Sequence, residues 1–523
     1  MSKQEQGLFN HWRQDLPASV VVFLVALPLC LGIALASGAP LFAGLISGIV
    51  GGIVVGSLSR SPLSVSGPAA GLAVVVLGAI QSLPSYQAFL LAVVLAGLFQ
   101  ILLGVARAGT VSNYIPSAVI KGMLAAIGII LVLKQIPHAL GYDADYEGDQ
   151  SFWQDDGYNT FSELIHLFNE ALSPGAIIIS VLSLIFLFWW DSGRVKKSPW
   201  LKEVPSSLIV VVFGVLASFL FKQFIPGLAI SSEHMVNVPV AGSAAKFFSQ
   251  FTLPDFSQIG NQDVWLAGLT LSLVASVETL LNVEAVDKLD PLRRITPPNR
   301  ELLAQGAGNM VSGLLGGLPI TSVIVRSSAN VNSGAVSRLS AIAHGLLLLV
   351  SVAAIPFVLN QIPLSALAAI LIAIGYKLAK PQIFLRKYQK GLAHFIPFVV
   401  TILAILFTDL LIGVCIGLVV GAFFVIRQNY HSAISLFQDG NNYLLRFKKD
   451  LSFIHKLELK RYLSQIPEQS SVLIDLSRVS FVDLDNAEII NDFIATAKDK
   501  GIQISIKRLA YAPNFLIEEP TES

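Results

Sequence analysis

Charge is scarce in this chain. Only 13% of its 523 residues are Asp, Glu, Lys or Arg, and 35 basic residues against 34 acidic ones leave a net charge of +1. A balance that even excludes partners held by overall charge, nucleic acid above all. Cysteine is scarcer still. Cys30 and Cys415 both lie inside apolar runs, so no disulfide framework is implied and both read as small core residues. No hydrolytic, metal-ligating or nucleotide-binding motif stands out, so no enzyme and no cofactor is expected. The polar segment Met1 to Asp15 lacks a cleavable signal pattern, because the first apolar run leads directly into further ones. What the chain has instead is apolar mass: 54% hydrophobic residues and a mean hydropathy of +0.69, far above the range of soluble proteins of this length.

Runs of about 20 residues, long enough to span a bilayer, recur from Pro17 to Arg427. The pattern predicts fourteen membrane segments, two of them short: 17–37, 41–58, 66–80 (short), 86–106, 115–136, 174–190, 205–224, 264–282, 299–316, 321–331 (short), 336–358, 362–378, 392–409 and 410–427. The domain reading is a cytoplasmic stretch 1–15, a membrane domain 16–430 and a soluble domain 431–523. Basic loops (Arg194, Lys196, Lys197, Lys202; Lys288, Arg293, Arg294, Arg300; Lys377, Lys380, Arg386, Lys387, Lys390) fall on one side, which places both termini in the cytoplasm. The loop from His138 to Ser173 faces the other side, with Asp143, Asp145, Glu147, Asp149, Asp155 and Asp156 and no Lys or Arg. Its alternating carboxylates resemble a calcium loop but lack the terminal bidentate Glu at the right spacing; a solvated outer loop is the expectation.

The two short segments open on related sequences, Ser66-Gly67-Pro68-Ala69-Ala70-Gly71 and Gly317-Leu318-Pro319-Ile320-Thr321-Ser322. A near-identical hexapeptide precedes each, Ser47-Gly48-Ile49-Val50-Gly51-Gly52 and Ser312-Gly313-Leu314-Leu315-Gly316-Gly317. Interrupted segments in corresponding positions of two halves point to a transporter's binding site. Two half-helix N-termini aimed at one point present unpaired N–H groups and partial positive charge, which binds an anion. Glu278 and Asn282 lie one helical turn apart in the eighth segment, where a carboxylate is costly and faces a cavity or titrates. Arg326 follows the tenth segment's start by about one turn. It either adds charge to the anion site or forms a structural ion pair with Glu278. Thr321 is expected to cap the tenth helix in preference to touching substrate, and His344 to be a packed helix residue.

On these residues the chain resembles the sulfate permease family of anion transporters, from about Leu16 to about Leu509. The features that carry the likeness are Pro28 through Ala34 to Gly38-Ala39-Pro40, Val65 to Ala70, Ala275-Ser276-Val277-Glu278-Thr279-Leu280-Leu281, and Pro319 to Asn330 with Arg326. The resemblance implies a polytopic α-helical membrane protein of seven plus seven inverted segments. A core domain (1–4 and 8–11) then carries substrate past a gate domain (5–7 and 12–14). Leu29 and Ile33 depart from the polar and aromatic residues usual in the first segment and leave that wall more apolar. Sodium-coupled bicarbonate members have Asp at the position of Glu278 and a hydroxyl residue one turn later. Glu278 and Asn282 suit either sodium or a proton. Asp475-Leu476-Ser477-Arg478-Val479-Ser480-Phe481-Val482-Asp483 resembles the signature of the sulfate transporter and anti-sigma factor antagonist (STAS) domain, on a tail read as strand 443–447, helix 453–466, strand 471–475, helix 484–500 and strand 502–507. Soluble relatives carry a phosphorylated Ser or Thr just after that motif, whereas Asp485 and Asn486 stand there in this chain.

The expected function is secondary active transport of small inorganic oxyanions by an elevator-type displacement, bicarbonate favoured and sulfate second, coupled to sodium or protons. An anion channel is the reading from another class. The expected substrate-binding set is Ser66, Gly67, Ala69, Ala70, Thr321, Ser322, Val323 and Arg326, with Glu278 and Asn282 for the coupling ion, sodium included. Expected partners are the anion, membrane lipid and a second copy of the chain aided by the STAS-like domain, in a bacterial inner membrane, with no nucleic acid.

Overall fold

A computed structural model describes residues 9–143, 152, 159–167, 172–191, 205–239, 247–430 and 433–507. The basic residues 194–202 and, of the six acidic residues named in the loop, all but Asp143 lie outside these. The chain divides into two compact units, Met1–Leu418 and Val419–Ser523. Among the described residues, fourteen helices correspond one by one to the predicted segments: α1 Trp12–Ala36, α2 Leu41–Leu58, α3 Ala73–Ser82, α4 Tyr86–Val105, α5 Ser117–Leu140, α6 Pro174–Asp191, α7 Ser206–Phe224, α8 Gln262–Leu289, α9 Pro298–Leu315, α10 Ile324–Asn332, α11 Leu339–Ala354, α12 Leu364–Leu378, α13 Leu392–Phe407 and α14 Leu410–Tyr430. Among the described residues, seven helices are long and apolar enough to cross a membrane. Large exposed side chains such as Leu216, Phe219, Val419 and Phe423 are what a lipid-facing surface requires.

The helices sort into two groups. α1–α4 and α8–α11 pack chiefly on one another, as do α5–α7 and α12–α14. In each group glycines let two backbones touch at a crossing. A Cβ on Gly97 of α4 would stand 2.5 Å from the Gly306 carbonyl oxygen of α9, and one on Gly306 would stand 2.6 Å from that of Gly97. In the second group Gly128 of α5 and Gly375 of α12 meet in the same reciprocal way, at 2.6 Å each. Between helices in lipid, where apolar surface gains nothing by leaving its solvent, close backbone contact through small residues supplies the packing energy. Cys30 is buried as expected, but Cys415 is exposed on α14. Asp143, expected in a solvated loop, is buried between His138 and His234, whose Nδ1 atoms contact its two carboxylate oxygens.

The second unit is a four-stranded sheet of order β3-β4-β5-β6, the numbers β1 and β2 belonging to two short strands of the membrane unit, Ser66–Pro68 and Ile320–Ser322. β3 (Ile434–Asp439) and β4 (Asn442–Phe447) form a hairpin that turns at Gly440, φ +58°. β5 (Ser471–Asp475) and β6 (Gln503–Lys507) add in parallel, linked by α15 (Lys456–Leu463) and α16 (Leu484–Ala497). Leu445, Phe447, Leu459, Val472, Ile474 and Ile490 make a separate core. β3 is an element the sequence reading missed, and its helix 453–466 is a 3-10 turn followed by α15. In the STAS-like motif, Asp475 pairs with Arg446 at 3.1 Å and Asp483 caps α16 by accepting the Asn486 N–H at 2.9 Å. The N–H groups of Ser480, 2.6 Å away, and Phe481 hold the Asp450 carboxyl below the usual carboxylate range. Asn486 is buried and donates to the Ser452 carbonyl. These residues close turns.

The glycine contacts give a direct comparison. Gly306→Ala forces the α4–α9 crossing apart and should cost about 1–3 kcal/mol, read as a lower melting midpoint of the purified protein. Gly78→Ala, in α3 with open space around it, should leave that midpoint unchanged or raise it. Equal midpoints for both variants would show that the crossing carries no strain-sensitive contact.

Candidate functional site

The two short segments do not begin as helices. β1 pairs antiparallel with β2, Ser66 opposite Ser322, Gly67 opposite Thr321 and Pro68 opposite Ile320. Proline explains the extended start, since Pro68 and Pro319 disfavour helical backbone in the residues before them. Each chain then runs through one further extended residue, Ala69 at φ −117° and Val323 at φ −114°, and turns helical at once, through a 3-10 turn Ala70–Leu72 into α3 and directly into α10. Neither start has a side-chain cap, so the first N–H groups of both half-helices are left for another partner. Thr321 therefore does not cap α10. It sits in β2, its hydroxyl 3.2 Å from the Ser322 carbonyl, because the proline-driven strand moves the helix start two residues later than expected.

Unwound backbone inside a membrane must be satisfied by protein. Around these strands it is. Asn309 of α9 accepts from the Ile320 N–H at 2.5 Å and donates to the Ile320 carbonyl at 3.0 Å. Asn282 Nδ2 donates to the Ser322 carbonyl at 2.7 Å. Val323 N–H donates to the Val65 carbonyl, while the Ser327 hydroxyl accepts from the Val65 N–H, both at 2.9 Å. The two repeated hexapeptides also converge, for the Ser47 hydroxyl accepts the Leu318 N–H at 2.6 Å and that of Ser312 donates to the Leu318 carbonyl at 2.7 Å.

Against this frame lie two buried charges. Arg326 is fully buried, and none of its three guanidinium nitrogens has a hydrogen-bond partner. Its guanidinium rests on Gly67, where a Cβ would come within 2.0 Å of Nη1. The Glu278 carboxylate rests on Gly71, 3.0 Å from where a Cβ would stand. The two glycines of Ser66-Gly67-Pro68-Ala69-Ala70-Gly71 thus make room for one charge each. The anticipated ion pair is absent, since no contact between Arg326 and Glu278 falls within salt-bridge distance. Separate seats at Gly67 and Gly71 hold them apart. Glu278 Oε2 and Asn282 Oδ1, one turn apart on α8, are also buried without partners.

Both charges line one small cavity. Leu29 and Ile33 of α1, Ala70, Glu278, Asn282 and the run Val323–Arg326 form most of its wall, and Ile127 of α5 and Leu410 of α14 close the rest. Of the expected site residues, Ala70, Val323, Arg326, Glu278 and Asn282 meet there. Ser66, Gly67, Ala69, Thr321 and Ser322 stand behind, in the strands that carry them. The Ser66 hydroxyl accepts from Gln305 at 2.7 Å and that of Ser322 contacts Ser64 at 2.7 Å. His344 is buried with Nδ1 2.8 Å from the Ala341 carbonyl, as a packed helix residue should be. The sequence reading missed Gln305 and Asn309, whose signal was two amides four residues apart, on the face that also carries Glu301 and Ser312. It also missed Ile127 and Leu410, which carry no signal because aliphatic residues fill every neighbouring segment.

The sequence pattern of the Sulfate permease family matches residues 12–424. The chain belongs to that family, whose members are membrane anion transporters. Among its relatives, the Putative sulfate transporter YvdB of Bacillus subtilis is 24% identical over 97% of this chain and 93% of its own length. The Bicarbonate transporter BicA of a Picosynechococcus species is 26% identical over 80% of this chain and 71% of its own. Among solved structures, the transmembrane domain of a cyanobacterial BicA, 25% identical, covers 79% of this chain and 98% of its own with a TM-score of 0.53. The overall structure of SLC26A9, 18% identical, covers 95% of this chain and 84% of its own with a TM-score of 0.65, and shows the fold. The small α/β unit after α14 is compatible with the STAS domain that the signature implied.

For this sulfate permease family member, the seat of Arg326 yields a paired test. Arg326→Ala should weaken anion affinity by about 1–3 kcal/mol, the scale of a lost charge-assisted hydrogen bond, with a larger loss for divalent than for monovalent anions. Gly67→Ala displaces the same guanidinium and should weaken binding in the same order of anions. Titration calorimetry of both variants checks this, and affinities equal to the parent's would place Arg326 outside the site.

Proposed function

We propose that the protein is a secondary active transporter of small inorganic oxyanions, bicarbonate in the first place, driven by a sodium or proton gradient. The observation that carries this reading is the fully buried guanidinium of Arg326, without a partner of its own, at the meeting point of two uncapped half-helix N-termini. An unpaired buried cation is costly, and an anion entering the cavity relieves that cost by accepting from Arg326 and the free N–H groups together. One guanidinium matches a monovalent anion, and the aliphatic wall of Leu29, Ile33, Val323 and Val325 favours a compact one. Sulfate is the second reading, supported by the name of the B. subtilis relative that matches over nearly its whole length.

Glu278 Oε2 and Asn282 Oδ1 are two free oxygens within reach of the same cavity. An oxygen pair of this kind suits sodium, and the carboxylate alone suits a proton. With either ion bound, the negative charge of Glu278 no longer opposes the anion, which couples the two movements. The two helix groups supply the moving parts. In an elevator-type displacement the group with α1, α3, α8 and α10, related in its halves by inverted repeat, carries anion and coupling ion together past α5–α7 and α12–α14. The protein then sits in a bacterial inner membrane with both termini cytoplasmic, lipid around residues 16–430, and the unit from residue 431 onward supporting a homodimer.

Reconstitution into proteoliposomes tests this reading, with uptake of labelled bicarbonate and sulfate measured under sodium and pH gradients imposed separately. One gradient should drive accumulation of bicarbonate above equilibrium. Glu278→Gln, a neutral isostere, should abolish the gradient-driven part while the protein stays folded; accumulation at parental rates would remove Glu278 from coupling. Conductance far above carrier turnover would instead identify a channel. A chain ending after Asn429 should still bind the anion in a thermal-shift titration, since all residues assigned to the site precede it.

A further inference from the structure

Helix α9 is poor in apolar residues for a helix of the membrane unit, and its fully buried polar residues lie on one face. Glu301, Gln305, Asn309 and Ser312 follow at spacings of four, four and three, and all are fully buried. None of them lines the cavity. Each holds something that leads to it. Gln305 Nε2 donates to the Ser66 hydroxyl of β1 at 2.7 Å, while Asn309 holds both backbone groups of Ile320 in β2. One rigid helix therefore grips both crossing strands, at points four residues or about 6 Å apart along its axis.

The grip is itself oriented. Glu301 accepts from Gln305 Nε2 at 2.9 Å and from the Ser59 hydroxyl. Both contacts turn the Gln305 amide nitrogen toward Glu301 and Ser66 together. Asn309 is held likewise by Gln100 Oε1, which accepts from its Nδ2 at 2.6 Å. The axial position of α9 is set by the Gly97–Gly306 contact beside Gln305. Backbone satisfaction alone would not require both strands to be tied to one helix face, but a fixed distance between them does.

We infer that Gln305 and Asn309 are positioning residues that set the separation of the two half-helix N-termini, and through it the preference of the site between a small monovalent and a larger divalent oxyanion, with Glu301 orienting Gln305. The inference rests on the proposed anion site. Loosening either strand changes how far apart the N–H groups stand, so the relative affinity for two anions should move, whereas a purely structural role would lower stability and leave that ratio alone.

The test measures dissociation constants of the full chain for bicarbonate and for sulfate by titration calorimetry, together with melting midpoints in the absence of anion. Gln305→Met keeps length and removes the amide. It should shift the ratio of the two constants about tenfold, which corresponds to about 1.4 kcal/mol. Glu301→Gln should shift the ratio in the same direction and by less. Thr401→Val removes a buried hydroxyl from α13, remote from the strands, and should lower the midpoint with the ratio unchanged. Where Gln305→Met does not fold, Asn309→Ser carries the same expectation. A parental ratio in the folded variant overturns the inference. Binding of neither anion by the parent chain overturns the proposed site and the inference with it.

Discussion

Unwound backbone in the middle of a membrane has no water to turn to, and most of this protein's first unit is arranged around that constraint. The crossing of β1 and β2 exposes peptide groups where each unpaired one costs several kcal/mol. The strands pair with each other, then borrow Asn282, Asn309, Ser47, Ser312 and Ser327 from four surrounding helices. Those polar residues would otherwise be liabilities in apolar segments. The requirement also explains the repeated hexapeptides, whose serines meet over the backbone N–H and carbonyl of Leu318. Because the strands consume these partners, the first N–H groups of the Ala70–Leu72 turn and of α10 are the backbone donors left over, and Ala70 and Val323–Arg326 line the cavity.

The electrostatic consequence follows from geometry. Arg326 and Glu278 are opposite charges lining one cavity, and a direct pair would neutralise both and leave little to attract a ligand. Seating the guanidinium on Gly67 and the carboxylate on Gly71 keeps each available. Three residues intervene between the two glycines, and the strand-to-helix turn they make sets the interval.

Much of the membrane unit was legible in the sequence because lipid imposes long apolar runs and few charges, so segment number and the two interrupted segments could be counted. The positions of Glu278, Asn282 and Arg326 were legible for the same reason, as polar groups stand out in such runs. What was not legible follows from contacts that leave no local pattern. The start of α10 depends on strand pairing between residues some 250 apart in the chain, which displaced Thr321 from its expected cap. The separation of Arg326 from Glu278 depends on two glycines in another segment. In the second unit, Ile434–Asp439 reads weakly as a strand because its outer half is exposed, although the Asp-Gly at its end was a usable hairpin signal. The pairing of Asp143 with two histidines joins the last turn of α5, the residues just after it and a short turn some 90 residues further on.

The cavity wall is uneven in kind. Every polar side chain on it belongs to α8 or α10, and the second helix group contributes only Ile127 and Leu410. Those two side chains touch an occupant through dispersion and apolar area alone, with no directional bond to make or break. Directional recognition is therefore assigned to one helix group, and the other meets an occupant through apolar area alone. A cavity built this way can change what it holds by substitutions in α8 and α10 without rebuilding the wall that faces them.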